Sequence, residues 1–516
     1  VHDPLPVSTL ARRLAPVPDG AWLLAALPLG ALSSLGFEPW GLTAPALAAL
    51  LALLLALMAR PARATPFAFL FFTAHFAVSL AWIATAFTFQ SNMPAAFGWL
   101  AVVGLALFLA LYPALAAWAT SRLARRPLGF ALLFAGLFAI TEVLRGLLLT
   151  GFAWNPLGAL LLGSGEAARL AAVTGASGLS ALLLAGLGGL AAVLAGDRRG
   201  GWLAAVGALL LVAGPTFLPA APVPLPDAPR ILIVQPGTGI ADKHSHGGAE
   251  RSLEAAISLT RRALDGLAAP PAAIVWPEAT VEFPLEESLA LRLRLVDGLP
   301  PTTLLLTGGV ALERDGAGRV IGARNSLYAL ASSGAILARY DKAHLVPGGE
   351  YLPLRPIAEP LGLARLVPGS LDFLAGPGPV TWRLPGLPPL APNICYEIIF
   401  PAAVVKRSDR PAFLVTVSND AWFGPTGPPQ HHAQARLRAI EEGIPIVRVT
   451  PTGVSGLIGA DGARLETLPA GDPATALVAL PPPLAPTPAA RLGLGLPLAL
   501  AGLLIAAGLA ANRIKT

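Results

Sequence analysis

One cysteine, Cys395, stands in 516 residues. A lone thiol excludes an intramolecular disulfide and a zinc site built on several thiolates. Charge is scarce as well: Asp, Glu, Lys and Arg make up 13% of the chain and hydrophobic residues 54%. Soluble domains carry about 25% charged residues, so a chain soluble along its whole length is excluded and an integral membrane protein expected. Lysine occurs only at 243, 342, 406 and 515, the other basic residues being arginine. A lysine inside a polar motif of such a chain hints that an ammonium is wanted there. The net charge of +6 would suit nucleic acid, but the arginines sit in short clusters between apolar runs, as the positive-inside bias predicts. A nucleic-acid partner is therefore set aside.

What is present falls into two parts. Long uncharged runs fill the first two fifths and the last few residues, and most Asp, Glu and His lie between Asp227 and Asp472. The runs Ala21–Leu35, Thr43–Ala59, Phe67–Phe87, Ala95–Thr120, Leu128–Leu149, Leu170–Gly196, Trp202–Leu218 and Leu492–Ala511 predict eight transmembrane helices. The first has the length of a signal-peptide core, but further apolar runs follow at once, so it reads as retained. Arg12/Arg13, Arg60/Arg63, Arg122/Arg125/Arg126, Arg198/Arg199 and Arg513/Lys515 fall on one side, whereas Gly36–Leu42 and Phe89–Pro94 carry no Lys or Arg. Both termini are then expected in the cytoplasm and the polar domain outside it. The expected division is 1–218 for seven helices, 219–490 for the extracytoplasmic domain and 491–516 for the last helix and tail. Near the outer end of the fifth helix, Glu142 and Arg145 lie three apart, followed by the uncharged Gly151–Pro156 with Trp154. That segment reads either as a lip for an acyl chain or as an interfacial Trp anchor beside an ion pair. The small residues from Gly186 to Gly196 read as helix packing.

Pro215–Pro229 is a linker. Beyond it, strands are expected at Arg230–Gln235, Ala272–Trp276, Thr302–Leu312, Ser326–Leu330, Ala335–Tyr340, Phe413–Ser418, Pro445–Val449, Leu457–Ile458 and Arg464–Leu468. Helices are expected at Ala249–Leu267, around Ala402–Lys406 and at Gln430–Glu442, and Asp461-Gly462 signals a hairpin. The alternation argues a layered α/β domain.

Three motifs carry chemistry. Pro392–Glu397 closes an apolar run and enters a tight turn, where a thiol is held exposed near backbone N–H groups; the other reading is a small buried hydrophobe. Trp276-Pro277-Glu278 puts a carboxylate at a strand end among apolar neighbours, either as a general base or as a helix cap. Tyr340–Tyr351 holds Lys342 and Glu350, an oxyanion-stabilising charge with its orienting partner or a surface ion pair. The adjacent His431 and His432 of the Gln430 helix point apart and have no third ligand at metal spacing. A Cys–His dyad using His344 or His431 competes better than a metal site.

The order of Glu278, Lys342 and Cys395, each after a strand, resembles the carbon–nitrogen hydrolase (nitrilase) superfamily. With seven helices before that domain and one after, the chain resembles the bacterial apolipoprotein N-acyltransferases. The resemblance rests on Trp276-Pro277-Glu278, Asn325-Ser326, Tyr340-Asp341-Lys342, His344–Pro347, Gly349-Glu350-Tyr351, Cys395-Tyr396-Glu397 and Ser418–Gly424. It implies an αββα sandwich, with Glu278 as base, Lys342 as oxyanion stabiliser and Cys395 as nucleophile. Supporting roles fall to Glu350, Tyr396, Glu397 and Asn325, and substrate contacts to Trp422, Phe423 and Trp154. Three positions depart from the family pattern: His244 near a usual Trp, Pro451-Thr452-Gly453 for a polar Asn-Asn-Gly run, and Gly349 for a bulky residue.

The resemblance also implies a reaction without metal or cofactor, in the bacterial inner membrane. A phospholipid ester would acylate Cys395, and the α-amine of a diacylglyceryl-cysteine at a lipoprotein's N-terminus would take the acyl group. A membrane-tethered amidase would use the same three residues and release its acyl group to water. A non-catalytic lipid-binding protein would need none of them.

Overall fold

The computed structural model describes residues 17–90, 93–163, 165–362, 364–366 and 372–513. Arg12, Arg13 and Lys515 of the orientation argument lie outside the described residues, as do Ser91 and Asn92 of the second uncharged connection. The chain divides into two compact units. One comprises the chain to Ala84, Gly98–Pro219 and Thr487 onward; the other comprises Thr85–Phe97 and Ala220–Pro486.

In the helical unit, Phe97–Leu123, Pro127–Leu147, Ala176–Leu194 and Gly200–Phe217 are each long and apolar enough to cross a bilayer. Thr43–Ala59 and Pro61–Ser79, bent by 113° at their junction, make a fifth span if counted together, and the apolar helix Gly495–Ala511 is shorter. The described residues thus hold four or five candidate spans where hydropathy predicts eight. Hydropathy does not register breaks in the backbone. The run from Leu170 is interrupted at Gly175, whose φ is +70°, so its long helix starts at Ala176. The run Phe67–Phe87 leaves the helix at Ser79, and Ala21–Leu35 divides into Asp19–Leu24 and Ala26–Ser34. Small residues set the close crossings: a Cβ on Gly189 would lie 2.5 Å from the amide nitrogen of Ala204. The Glu142 carboxylate accepts from the Leu157 N–H and the Ser180 hydroxyl, both at 2.8 Å, while Arg145 donates to the Trp154 carbonyl at 2.8 Å. Both side chains thereby anchor the segment around Trp154 to their helix.

The second unit is a two-sheet sandwich. In chain order its elements are β1 (Arg230–Gln235), α1 (Gly248–Asp265), β2 (Ala273–Val275), β3 (Val281–Pro284), α2 (Leu289–Val296), β4 (Leu304–Arg314), β5 (Val320–Leu330) and β6 (Ile336–Asp341). There follow β7 (Leu390–Ile394), β8 (Phe413–Val417), α3 (Gly427–Glu442), β9 (Ile446–Val449), β10 (Gly456–Ile458), β11 (Arg464–Thr467) and β12 (Ala474–Ala479). One sheet runs β12-β1-β2-β4-β5-β6 with β3 beside β4; the other runs β11-β10-β9-β8-β7. Strand periodicity sorts the side chains. Ile231 and Ile233 of β1 join Ile394, Val415, Val417, Val447 and Val449 in the core between the sheets. Leu232 and Val234 instead meet Leu253, Ala256 and Ile257 of α1 on the outer face. Since α3 packs on the other sheet, the layers are αββα.

Within each sheet a parallel centre, β1-β2-β4 in one and β7-β8-β9 in the other, continues into antiparallel hairpins. The helix expected around Ala402–Lys406 does not form: Ala402 has φ +63°, and the helical turn lies earlier, as a 3₁₀ segment at Cys395–Ile399.

Near its C-terminus α3 carries a buried acid. Burial, then the neighbouring Glu441 carboxylate, push Glu442 up to about 7, against the opposing pull of Arg438, Arg407 and Arg410. An acid whose folded value lies above its unfolded one favours the fold most below the unfolded value. Stability then falls as pH rises through the folded value. Over the interval from 4.5 to about 7, that loss is on the order of 3 kcal/mol. Glu442→Gln is therefore expected to raise the melting temperature at about pH 8 and to change it little near pH 4. Thermal melts of the detergent-solubilised protein at the two pH values check this, and an equal shift at both would count against it.

Candidate active site

The polar centre forms where strands end. Glu278 follows β2, Lys342 follows β6, Cys395 follows β7, and Asn419 and Asp420 follow β8. Carboxyl ends of parallel strands leave such a crevice because the chain must turn away there.

Two backbone strains shape it. Cys395 adopts φ +54° and Ala279, next to Glu278, φ +51°. Left-handed backbone costs a non-glycine residue roughly 1–2 kcal/mol, so surrounding bonds must hold it. The Lys243 ammonium donates to the Ala279 carbonyl and pairs with Glu282 at 3.0 Å, holding the turn after Glu278. On β4, Gly308 lets that turn approach: a Cβ there would lie 2.6 Å from the Glu278 Cα.

Around Lys342 the groups are buried and mutually bonded. Lys342 is 1% exposed, Glu350 4% and Glu278 7%. The Lys342 Nζ donates to Glu350 Oε1 at 3.0 Å and lies 3.5 Å from Glu278 Oε1. The amide of Asn325 bridges the two acids, donating to Glu278 Oε1 at 2.7 Å and to Glu350 Oε1 at 3.0 Å. Glu278 Oε2 accepts the Asn419 backbone N–H at 2.6 Å, and Glu350 Oε2 that of Val346 at 2.8 Å. Burial is the largest influence on Lys342 and works to lower its pKa. The Glu350 and Glu278 carboxylates work against it, and the net shift is upward, keeping the ammonium charged.

Glu397 joins the Lys342 loop to the cysteine turn. Its Oε1 accepts from the Tyr340 hydroxyl at 2.7 Å and the N–H groups of Ala343 and His344 at 2.7 and 3.2 Å; its Oε2 accepts the Ile394 N–H at 2.8 Å. Burial, and then Glu278, push the Cys395 thiol well above its ordinary value despite Lys342. The resting sulfur is a neutral thiol, and it needs a proton acceptor to become nucleophilic.

The structure therefore gathers Glu278, Lys342, Asn325, Glu350, Cys395 and Glu397 in one unit. Tyr396 is buried, with its ring edge-on to Phe400 at 5.1 Å. Trp422 lies edge-on to Phe89 at 5.9 Å, and Phe423 packs on His431 at 5.4 Å. Trp154 belongs to the helical unit, buried against Trp82 and Phe152. Of the two histidines that a Cys–His dyad could use, His344 stacks on Phe400 at 3.7 Å, and His431 Nε2 faces the carbonyl oxygen of Cys395 at 3.1 Å. Of the departing positions, Pro451 accepts the Gly237 N–H, just beyond β1, at 2.8 Å. Sequence reasoning gave no role to Lys243 or Arg448, and quoted Asp420 only as part of the Ser418–Gly424 motif. For Arg448 the signal was an arginine inside the otherwise apolar strand β9.

A carboxylate, an ammonium and a thiol at the strand ends of an αββα sandwich define a carbon–nitrogen hydrolase domain, and residues 235–485 match the Carbon-nitrogen hydrolase family. Residues 29–190 match the Apolipoprotein N-acyltransferase N-terminal domain. Among relatives, an apolipoprotein N-acyltransferase of Rhodopseudomonas palustris is 35% identical over 81% of this chain and 80% of its own. Those of Allorhizobium ampelinum and Caulobacter vibrioides are each 36% identical, over 76% and 75% of this chain and 75% and 74% of theirs. The chain belongs to the apolipoprotein N-acyltransferase family. Of solved structures, an amidase from Nesterenkonia sp. AN1 aligns at a TM-score of 0.35 and 18% identity, over 50% of this chain and 93% of that one, too loosely to bear on the chemistry.

Proposed function

We propose that this apolipoprotein N-acyltransferase works in two half-reactions through a thioester on Cys395. Glu278 takes the thiol proton as the sulfur attacks an ester carbonyl of a membrane phospholipid. Lys342 and the Tyr396 N–H stabilise the tetrahedral oxyanion. The intermediate collapses by breaking the bond to the glycerol oxygen; that oxygen takes the proton from Glu278, and the lysophospholipid leaves. The α-amine of the diacylglyceryl-cysteine at the acceptor's N-terminus then attacks the thioester carbonyl. It loses a proton to Glu278, which returns it to the departing sulfur. Asn325, Glu350 and Glu397 hold the acid, the ammonium and the thiol in register. Trp422, Phe423 and Trp154 contact substrate.

The topology proposed with it is eight crossings, with both termini cytoplasmic. Residues 1–218 and 491–516 lie in or beside the inner membrane, and 219–490 face the periplasm. The arginine distribution among the loops supports that orientation. The observation that carries the chemistry is the shared buried cluster of Glu278, Lys342 and Glu350, of which Glu278 and Lys342 act electrostatically on Cys395 in its strained turn.

Incubation with acyl-labelled phospholipid is expected to leave a hydroxylamine-labile label on Cys395 that passes to a diacylated lipopeptide. A label lost only to water would favour a membrane-tethered amidase, and a thiol that never takes label would end the thioester route.

A further inference from the structure

His431 holds the carbonyl of Cys395 in place, and we infer that it thereby aims the Tyr396 N–H at the forming oxyanion, as a positioning residue for the thioester route proposed above. The inference rests on that route. The first link is the contact itself. A carbonyl oxygen can only accept, so the Nε2 of His431, 3.1 Å away, carries the proton. The second link is peptide geometry. The bond between Cys395 and Tyr396 is trans, and in a planar trans amide the C=O and the next N–H point in opposite directions. Whatever fixes the Cys395 carbonyl therefore fixes the direction of the Tyr396 N–H on the other side of the plane.

The third link is how firmly the imidazole is held. His431 Nδ1 lies 2.9 Å from Asp420 Oδ1 and 3.1 Å from Arg448 Nη2. Asp420 itself accepts from Arg448 Nη2 at 2.6 Å and from the Ser418 hydroxyl at 2.6 Å. Phe423 closes on the ring edge-to-face. Asp420, His431 and Arg448 are each at most 1% exposed, and a Cβ on Gly453 would come 2.6 Å from Asp420 Oδ2, so that glycine gives the carboxylate its room. A buried ion pair is an expensive way to pack a core, and fixing one orientation is a use that fits the expense. Because the Nε2 that faces this turn already carries a proton, which it gives to the carbonyl, the Asp–His pair orients the turn and that nitrogen takes no proton from the thiol.

The test compares two reactions of Cys395 in the full-length protein in phospholipid vesicles: acylation by labelled phospholipid, which passes through an oxyanion, and alkylation by iodoacetamide, which does not. His431→Asn keeps an amide near Asp420 but is too short to reach the carbonyl, and His431→Gln restores a donor there. In His431→Asn, acylation is expected to slow roughly 100-fold while alkylation stays within about threefold of wild type. His431→Gln should recover most of the acylation rate. Wild-type acylation in His431→Asn, or equal losses in both reactions, would overturn the inference alone. A wild-type protein that takes no acyl label would overturn the thioester route and this inference with it. If His431→Asn does not fold, His431→Gln decides: acylation near wild type supports the inference, and a 100-fold loss with the donor retained refutes it.

Discussion

Exchanging Cys395 for alanine is expected to lower acyl transfer at least roughly 10,000-fold, because a reaction that runs through a covalent intermediate has no route without its nucleophile. The melting temperature should move only slightly. The thiol occupies little volume in a core formed by both sheets, and deleting one buried atom costs about 1 kcal/mol. The strain at this position gives a second readout. Alanine inherits φ +54° and its cost; glycine does not, so Cys395→Gly should be more stable than Cys395→Ala by about 1 kcal/mol. Both variants should be equally inactive. Melting curves and a labelled-phospholipid assay on one preparation decide it. Acyl transfer within about tenfold of wild type in either variant would remove the sulfur from the reaction.

That Cys395, Glu278 and Lys342 were legible in the sequence follows from where they stand. Each ends an apolar strand that has its own period, so the polar residue after it marks a strand end on local information alone. The holding network was not legible in this way. Asp420, His431 and Arg448 come from the turn after β8, from α3 and from β9, and only the packing of α3 on its sheet brings the histidine to the carbonyl of Cys395. On paper His431 was a candidate for a dyad with the thiol, because its place on a helix does not say which group of another element its imidazole meets. The pairing of β12 with β1, Arg230 opposite Ala479, was hidden for the same reason: neither strand carries a turn signal for the other. In the helical unit hydropathy located apolar runs and missed their breaks, since a run stays apolar where Gly175 turns left-handed.

The second large effect is expected at Lys342. Replacing it with methionine keeps much of the side chain's bulk and removes the cation that pairs with both Glu278 and Glu350, at 3.5 and 3.0 Å. Two consequences should separate. Catalysis should fall roughly 1,000-fold, because a fixed charge facing the oxyanion is lost. Stability should fall by about 3–5 kcal/mol, because two acids remain buried without their counter-charge. Glu350→Gln added to Lys342→Met removes one of the stranded carboxylates and keeps one carbonyl oxygen to accept from Asn325 or Val346, which donate to the two carboxylate oxygens. The double variant should therefore recover much of the melting temperature and none of the activity. Recovery of both would make Lys342 a structural counter-ion only, and recovery of neither would mean that the ammonium holds the loop by bonds a glutamine at 350 cannot replace. The expected split, stability restored and acyl transfer still absent, is what a charge placed for the oxyanion requires.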